Sequence, residues 1–272
     1  MTDADFTQQL IDRYQLQDAV KVMASNLSRP ELTSVLLRVF RERAAGVIPA
    51  ALMTQMQDDR FVRPSTVPQE MFAWFDQTAF DLLPDWESID LSPVAPLGTS
   101  SALGPVDQSL IVATSRGQEV MSDCTNVLAL IAARKRGRAR RTNIHASVRL
   151  CTSQRLTRAG ALNDPLHTAH FRVFTLVSAG RDVGGMGFET RALIEHIKFY
   201  SALTKAICGS ELQGLALRVL EYAPTGVDWM QVFNTGNDDS CPVTTEHIDS
   251  PGWDYYHPLQ FKIRVSIAGS SL

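Results

Sequence analysis

The segment 147–179 contains residue types that could hold a phosphorylated ligand. It is predicted to form a strand with Arg155 near its end, a polar loop, and a second strand that begins with Phe171. An arginine on a rigid strand can bind phosphate through two parallel hydrogen bonds, and an aromatic ring on the neighbouring strand can stack on a base. An ordinary hairpin with an exposed loop explains the same residues, so both interpretations stay open here.

Two further segments combine polar and aromatic residues at the start of an element. Asp123 and Thr125 come just before the helix expected from residue 126, where their side chains are suited to cap the first turn. Tyr255 and Tyr256 come just before the strand expected at 259–267. Adjacent side chains on a strand point to opposite faces, so only one of these tyrosines can line a given pocket. Packed aromatic residues at a strand start are the alternative.

A cluster of basic residues follows the helix expected at 124–135. Its members are Arg134, Lys135, Arg136, Arg138, Arg140 and Arg141. The net charge of −3 is unevenly spread, at −8 for residues 1–130 and +5 for the remainder, and much of that asymmetry comes from this cluster. Such a run is typical of a solvated loop, and contact with an anionic partner such as RNA is the alternative.

Other kinds of chemistry find little support in the sequence. The spacing of His167, His170 and His196 matches no strong zinc pattern, and no GxSxG motif surrounds a serine or cysteine. The cysteines form no CxxC pair, so we expect reduced thiols and no metal. The first ten residues lack a basic start and an apolar core, and no stretch is apolar enough to span a bilayer. A cytoplasmic location is therefore the expectation.

The N-terminal part of the chain is predicted to be helical. Helices are expected near 3–25, from Ser28 onward and near 49–58, and the second begins with a capping-box pattern of Ser28 and Glu31. The two prolines of segment 60–68 indicate a linker, and an aromatic-rich helix follows at 68–83. We therefore divide the chain into an N-terminal helical region, 1–65, and a second domain, 66–272.

The second domain is predicted to be α+β, with a mixed and largely antiparallel sheet flanked by helices. Helices are expected at 124–135 and 187–208. The expected strands are 109–114, 147–154, 171–179, 215–222, 229–233 and 259–267. No GxGxxG or Walker loop argues for a doubly wound nucleotide fold.

Four segments in order resemble the class II aminoacyl-tRNA synthetase catalytic domain, in its branch of histidyl-tRNA synthetase and the ATP phosphoribosyltransferase regulatory subunit. They are the helix at 68–83 with the extended piece around Pro93, then 119–125, 147–179 and 251–257. The resemblance implies a dimer interface on the first segment, an amino-acid pocket on the second and fourth, and an ATP-binding hairpin on the third. It covers about three quarters of the chain.

The resemblance also implies roles for individual residues. Arg155 would bind the α-phosphate, Phe171 would stack on adenine, and Arg158 or His167 would contact the outer phosphates. The side chains that would face the amino acid are Asp123, Thr125 and one of Tyr255 and Tyr256. Four positions depart from the family pattern, which has arginine, proline, glutamate and an acid where this chain has Met121, Ser122, Thr157 and His170.

These departures shape the expected function. The family's third motif, with its second arginine, is not found before the end at SIAGSSL, so we expect no tRNA charging. One hypothesis is a non-catalytic paralogue, a homodimer that binds a small amino-acid-like or nucleotide ligand and regulates a protein partner. A second is a reduced adenylate-forming enzyme that uses ATP and Mg to activate a carboxylate, which the retained Arg155 favours. A third is an RNA-binding module that uses the basic cluster.

Overall fold

The structure is a computed structural model that describes residues 3–104, 106–139, 146–159, 168–182, 184–236, 241–248, 258–268 and 270–271. The described residues form a run of N-terminal helices, followed by β-sheets with helices packed on their faces. This arrangement confirms the predicted α+β class with mixed sheets. Within these ranges no helix is long and apolar enough to cross a membrane.

The N-terminal helices form where the sequence predicts them, with one break. They are α1 (Asp3–Arg13), α2 (Gln17–Lys21) with a π-helical turn at Val22–Asn26, α3 (Arg29–Ala45) and α4 (Pro49–Asp58). The expected helix near 3–25 is interrupted at Gln15, which has a φ of 53°. The capping box is confirmed, since the Ser28 amide donates to Glu31 Oε2 at 2.8 Å. Hydrogen bonds from the Ser28 side chain and backbone lower the pKa of Glu31.

The aromatic-rich helix α5 (Gln69–Asp81) joins the N-terminal helices to the sheets. Its inward side contributes Phe75, Ala79 and Phe80 to a core shared with the first sheet. Met71 and Trp74 lie on the outward side, where 50% and 44% of their surface stays exposed. Part of the apolar surface of α5 is therefore left uncovered by the described part of the chain.

The first sheet provides the predicted hairpin. The elements in this region are β1 (Glu87–Ser88), β2 (Val94–Pro96), α6 (Thr99–Leu103), β3 (Gln118–Val120), α7 (Cys124–Ala139), β4 (Val148–Thr157) and β5 (His170–Ala179). β4 lies between β1, which is parallel to it, and β5, which is antiparallel, while β2 pairs with β3. The strand predicted at 109–114 is wrong for its first part, where Asp107 accepts a hydrogen bond from the Ser109 amide at 2.9 Å and starts a 3-10 turn at Gln108–Leu110. Ala113 then forms a single antiparallel bridge to Glu119.

Alternation of side chains separates the two faces of the β4–β5 hairpin. On one, which we call the α7 face, Leu150 and Leu156 pack against Leu128 of α7. On the other, the α5 face, Cys151 and Phe174 pack with α5 and with the following helix. Neighbouring residues on a strand therefore contribute to different sites.

The second sheet lies beyond the long helix α8 (Gly187–Cys208). Its elements are β6 (Leu212–Glu221), α9 (Trp229–Gly236), β7 (Val243–His247), β8 (Leu259–Ile267) and β9 (Ser270–Ser271), and its strand order is β7-β6-β8-β9. α8 contributes Ile197 to the core of this sheet and Phe199 and Leu203 to the core of the first. It therefore holds the two sheets together.

The strand predicted at 229–233 is a helix. The β-forming composition of this segment suggested a strand, but Asp228 accepts a hydrogen bond from the Gln231 amide at 3.0 Å and so caps the first turn of α9. Trp229 and Phe233 then lie one helical turn apart, stacked at 5.7 Å between ring centroids and almost fully buried. β7 at 243–247 was not predicted. The division into 1–65 and 66–272 stays a prediction.

Candidate functional site

The start of α7 holds the candidate site, and Asp123 is its acidic member. The Thr125 amide donates to Asp123 Oδ1 at 2.8 Å, so the aspartate caps the helix as the sequence predicted. Its second oxygen, Oδ2, lies 3.6 Å from Nη2 of Arg158. The same guanidinium donates from Nε to the Ser122 carbonyl at 3.0 Å. Arg158 is thus positioned by the segment that leads into α7.

Arg158 also lies over Phe171, with its guanidinium carbon 5.2 Å from the ring centroid. Two backbone bonds bring these groups together. The Thr157 amide donates to the Met121 carbonyl at 3.0 Å, which ties the end of β4 to the α7 segment, and the Arg158 amide donates to the Ala169 carbonyl at 2.8 Å. The result is a cation, a carboxylate and an aromatic ring at one edge of the α7 face.

Arg155 does not join this site, so the prediction that it converges with Asp123 and Phe171 is wrong. It lies on the α5 face, opposite Arg172 in the strand register, with its guanidinium 5.3 Å from the centroid of Phe72. Its Nη1 lies 2.8 Å from Nδ1 of His170. The physical reason is the two-residue period of a strand: Leu156, which pairs with Phe171, points toward α7 and its neighbour Arg155 must point away.

The contacts around Arg155 also fix the tautomer of His170. An arginine can only donate, so Nδ1 of His170 accepts from Arg155. Nε2 therefore bears the hydrogen and donates to the Arg63 carbonyl at 2.8 Å. Together the two bonds attach the linker before α5 to the hairpin.

A second set of contacts on this face fastens α5 to the sheet. Ser153 donates to Asp76 Oδ1 at 2.5 Å, and Arg172 forms an ion pair with Oδ2 of the same aspartate. The Arg172 guanidinium lies 5.2 Å from the Phe72 centroid. We call Phe72, Asp76, Ser153, Arg155 and Arg172 the α5 clamp. Its arginines are used for packing and for pairing within the chain.

Glu119 supports the candidate site and was not singled out from the sequence. It is fully buried, and its carboxylate accepts four hydrogen bonds at 2.7–3.1 Å. The donors are the backbone amides of Gly98 and Ser100, the Ser100 hydroxyl and the side-chain amide of Gln108. Burial alone would raise its pKa, but these hydrogen bonds outweigh that effect and lower it. Ser100 Oγ lies 2.9 Å from Ser122 Oγ, so this network reaches the residue that binds Arg158. No sequence motif indicates such a role.

Three residues predicted for the site lie outside the described residues. They are His167, Tyr255 and Tyr256. Thr125 lies at the site through its backbone amide and is half-buried. The described part of the predicted pocket therefore consists of Asp123, Thr125, Arg158 and Phe171.

The basic cluster is the end of a helix through residue 138, which corrects the loop interpretation. Lys135 Nζ lies 2.7 and 2.9 Å from the two carboxylate oxygens of Glu87, and Arg136 donates to the Ala146 carbonyl. Arg134 and Arg138 are exposed and one turn apart. Cations are favourable there because the helix dipole places partial negative charge at its C-terminus. Arg140 and Arg141 lie outside the described residues.

The buried thiols show no sign of reactivity. Cys124 Sγ lies 2.8 Å from the Thr175 hydroxyl, and burial raises its pKa. Burial also raises the pKa of Cys151 to about 11, so neither thiol forms the nucleophilic thiolate near neutral pH. No group of three or more His, Cys, Asp or Glu side chains in the described part of the chain is placed to hold a metal ion.

Comparison with known proteins gives a likeness of fold only. No protein-family model and no curated protein matches the sequence. An ATP phosphoribosyltransferase regulatory subunit/histidyl-tRNA synthetase from Bacillus halodurans C has 14% identity and a TM-score of 0.42, with 59% of this chain and 40% of that chain covered. Histidyl-tRNA synthetase from Nostoc sp. PCC 7120 has 14% identity and a TM-score of 0.41, with 59% and 35% covered.

A third solved structure is Desulfitobacterium hafniense PylSc, a pyrrolysyl tRNA synthetase. It has 11% identity and a TM-score of 0.42, with 64% of this chain and 55% of that chain covered. The neighbours are class II synthetase-like chains. The chain spans only about a third to just over a half of the length of these three structures.

Proposed function

We propose that this chain binds a small amino-acid-like or nucleotide ligand at the start of α7, without transforming it, and thereby regulates a protein partner. The observation that supports this most is the contact of Arg158 with both the Asp123 carboxylate and the Phe171 ring. The side chains of Arg158 and Asp123 remain 46% and 31% exposed, and the distance of 3.6 Å between Nη2 and Oδ2 is long for a charge-assisted hydrogen bond. A ligand can therefore compete for both partners at little cost, since exposed ion pairs contribute little stability.

The arrangement suits a zwitterion or a planar anion. An amino-acid carboxylate would bind the Arg158 guanidinium, and its ammonium group would bind Asp123. A nucleotide would instead place a phosphate on Arg158 and a base beside Phe171. Both ligand classes use Arg158 together with one of its two neighbours, Asp123 or Phe171, so the site by itself favours neither.

The non-catalytic part of the proposal follows from two departures in the hairpin. Thr157 and His170 stand where the resembled family has acids, and His170 is engaged by Arg155 and the Arg63 carbonyl on the α5 face. Neither residue supplies charge to the ligand.

A surface for a partner is offered by the N-terminal helices, since α2, α3 and α4 have no buried residue and leave Phe40, Ile48 and Met53 more than half exposed.

A thermal-shift screen over amino acids and nucleotides, with and without Mg, tests the proposal. Arg158→Gln and Arg155→Gln are a matched pair, because they remove the same charge from opposite faces of the β4–β5 hairpin, Arg155 within β4 and Arg158 just after its end. A ligand that binds the native state raises the melting temperature, and we expect that rise in the wild type and in Arg155→Gln but not in Arg158→Gln. A rise that survives in Arg158→Gln, or no rise with any compound, would contradict the proposed site.

A second candidate is ATP-dependent activation of a carboxylate, with ATP and Mg as cofactors. It is favoured by the stacking of Arg158 on Phe171, a pair suited to a nucleotide phosphate and base. Arg155, on which this hypothesis first rested, gives it no support from the α5 face. Exchange of labelled pyrophosphate into ATP that depends on an added carboxylate would establish the activity. Ligand binding without such exchange would support the non-catalytic function.

A further inference from the structure

A groove lined by cations runs between α8 and the β4–β5 hairpin, on the α5 face and away from the site at α7. Its volume is about 670 Å³, within the range of small-molecule sites. The charged side chains that line it are Arg149, Arg181, Arg191, Glu195 and Lys198.

Regular secondary structure positions four of these five side chains, and Arg181 lies in the connection between β5 and α8. Arg149 on β4 and Ser178 on β5 are directly paired, so both point toward α8. On α8, groove residues recur at 188, 191, 195 and 198, a spacing of three or four that places them on one helix face. The groove is therefore built on rigid elements.

The groove has a surplus of positive charge. Arg149 is paired with Glu195, with 2.7 Å between Nη1 and Oε1. Arg181, Arg191 and Lys198 are exposed, and within the described ranges their side chains make no hydrogen bond or ion pair. Three cations that share one groove repel one another, and a bound anion would relieve that repulsion.

The remaining walls supply a hydroxyl and an apolar surface. Ser178 Oγ lies 2.9 Å from Nε2 of His196 at the hairpin side of the groove. Phe188 packs directly on the backbone of Gly180, where an added Cβ would come within 2.2 Å of the ring. With Ala192 and Ile194 it forms an apolar wall beside the cations. A ligand that fits has several negative charges and an uncharged part.

We propose that this groove binds a phosphorylated small molecule with at least two negative charges. Arg181, Arg191 and Lys198 bind the phosphate oxygens, and the Phe188 wall packs against the uncharged part of the molecule. A small molecule is favoured over an extended nucleic acid because the cations converge on one groove rather than follow a line along the surface.

Calorimetric titration of the full chain with tripolyphosphate and with ATP tests the inference. The key variant is Arg191→Ala with Lys198→Ala, and the control is Lys262→Ala with Arg264→Ala, which removes the same charge from exposed positions on β8. We expect the groove variant to bind tripolyphosphate at least about tenfold more weakly and the control to change less than about twofold, because charge-assisted contacts to phosphate are lost only in the groove. Affinity should also fall steeply with salt.

Three results would overturn the inference. They are no tripolyphosphate binding to the wild type at low salt, an equal loss in the control variant, and tighter binding of a single-stranded RNA oligomer that the groove variant abolishes. Arg158→Gln separates this site from the one at α7, since it should leave tripolyphosphate binding unchanged. Circular dichroism checks the folding of the double variant, and the single changes Arg191→Gln and Lys198→Gln replace it if it fails to fold.

Discussion

The two faces of the β4–β5 hairpin use the same residue type in different ways. On the α5 face, Arg155 and Arg172 both contact the Phe72 ring, Arg155 donates to His170, and Arg172 is paired with Asp76, so both side chains help to hold α5 to the hairpin. On the α7 face, Arg158 is held by one carbonyl and one distant carboxylate. The difference teaches that the face on which an arginine of this hairpin lies decides whether it packs against α5 or stands beside a carboxylate at the candidate site.

Replacement of one phenylalanine on each face of β5 gives the largest expected change in the free energy of unfolding. Phe174 is 7% exposed and packs against the rings of Phe75, Phe80 and Phe199, so Phe174→Ala should lower the free energy of unfolding by about 3–5 kcal/mol. Phe171 is only half-buried, and Phe171→Ala should cost about 1 kcal/mol while it removes the ligand-induced rise in melting temperature. Urea denaturation measures both. Equal losses would show that the two faces do not differ as proposed.

His196 gives the α5 face a pH dependence of stability. Burial lowers its pKa from 6.5 to about 4, with nearby Glu195 opposing the shift. Between these values the unfolded chain binds a proton that the folded chain does not, so stability falls as the pH falls from 6.5 toward 4. The loss approaches about 3 kcal/mol at the lower limit.

Denaturation at several pH values between 4 and 7 measures this dependence. His196→Gln keeps a polar group near Ser178 but cannot titrate, so its stability should vary less over the same range. If the variant and the wild type follow the same pH curve, other groups are responsible for the change.

Asp76, the aspartate of the α5 clamp, should contribute an intermediate amount to the free energy of unfolding. Asp76→Ala leaves Arg172 without its carboxylate, and Arg172 Nε already has no hydrogen-bond partner among the described residues. We expect a loss of about 2 kcal/mol in the free energy of unfolding. Glu42→Ala removes a carboxylate that pairs with Arg38 on an exposed helix surface and should cost about 0.3 kcal/mol. A loss for Asp76→Ala as small as that of the control would mean that the clamp does not hold α5.

Much of the fold follows from the sequence, and the bounds of three elements match the prediction. These are α4, α8 and β8. Prolines, a long apolar face and a β-branched alternating pattern define them locally. The prediction of a strand at 229–233 was wrong because Trp and Phe are compatible with both a helix and a strand. The Asp228 cap then selects the helix α9. Local sequence patterns thus predict an element correctly where they favour only one kind of secondary structure.

The candidate site was predicted only in part, and the face of Arg155 explains why. β4 is covered on both sides, so its buried residues Leu150, Cys151 and Thr152 are consecutive and do not alternate with exposed ones. Without alternation the sequence cannot show which residues point toward α7. Asp123 and Phe171 were predicted for the site, and Arg158 was predicted, as an alternative to His167, to contact the outer phosphates of a nucleotide. The buried Glu119 depends on partners that are distant in sequence, and only the fold reveals it.

A substitution on the outward side of α5 tests the predicted homodimer and should have little effect on the stability of the monomer. Met71, Trp74 and Leu82 leave an exposed apolar stripe, although the inward side of the same helix is buried. Trp74→Glu should shift the mass measured by light scattering from dimer to monomer, because a charge would be buried in a twofold interface. The free energy of unfolding of the monomer should change by less than about 0.5 kcal/mol. A wild type that is monomeric at micromolar concentration would contradict the dimer.

A small effect on stability is also expected at the far end of α7, the helix that covers the opposite face. Arg134→Ala with Arg138→Ala removes two exposed cations near the negative end of the helix dipole and should cost under about 1 kcal/mol. If these arginines also bind RNA, retention of a single-stranded oligomer should weaken with salt, and the variant should reduce the slope of log affinity against log salt by about 1.4. The double change at Lys262 and Arg264 controls for net charge. RNA that is not retained even at low salt would leave these residues as a helix terminus only, and anion binding by this chain would then rest on Arg158 and on the α8 groove.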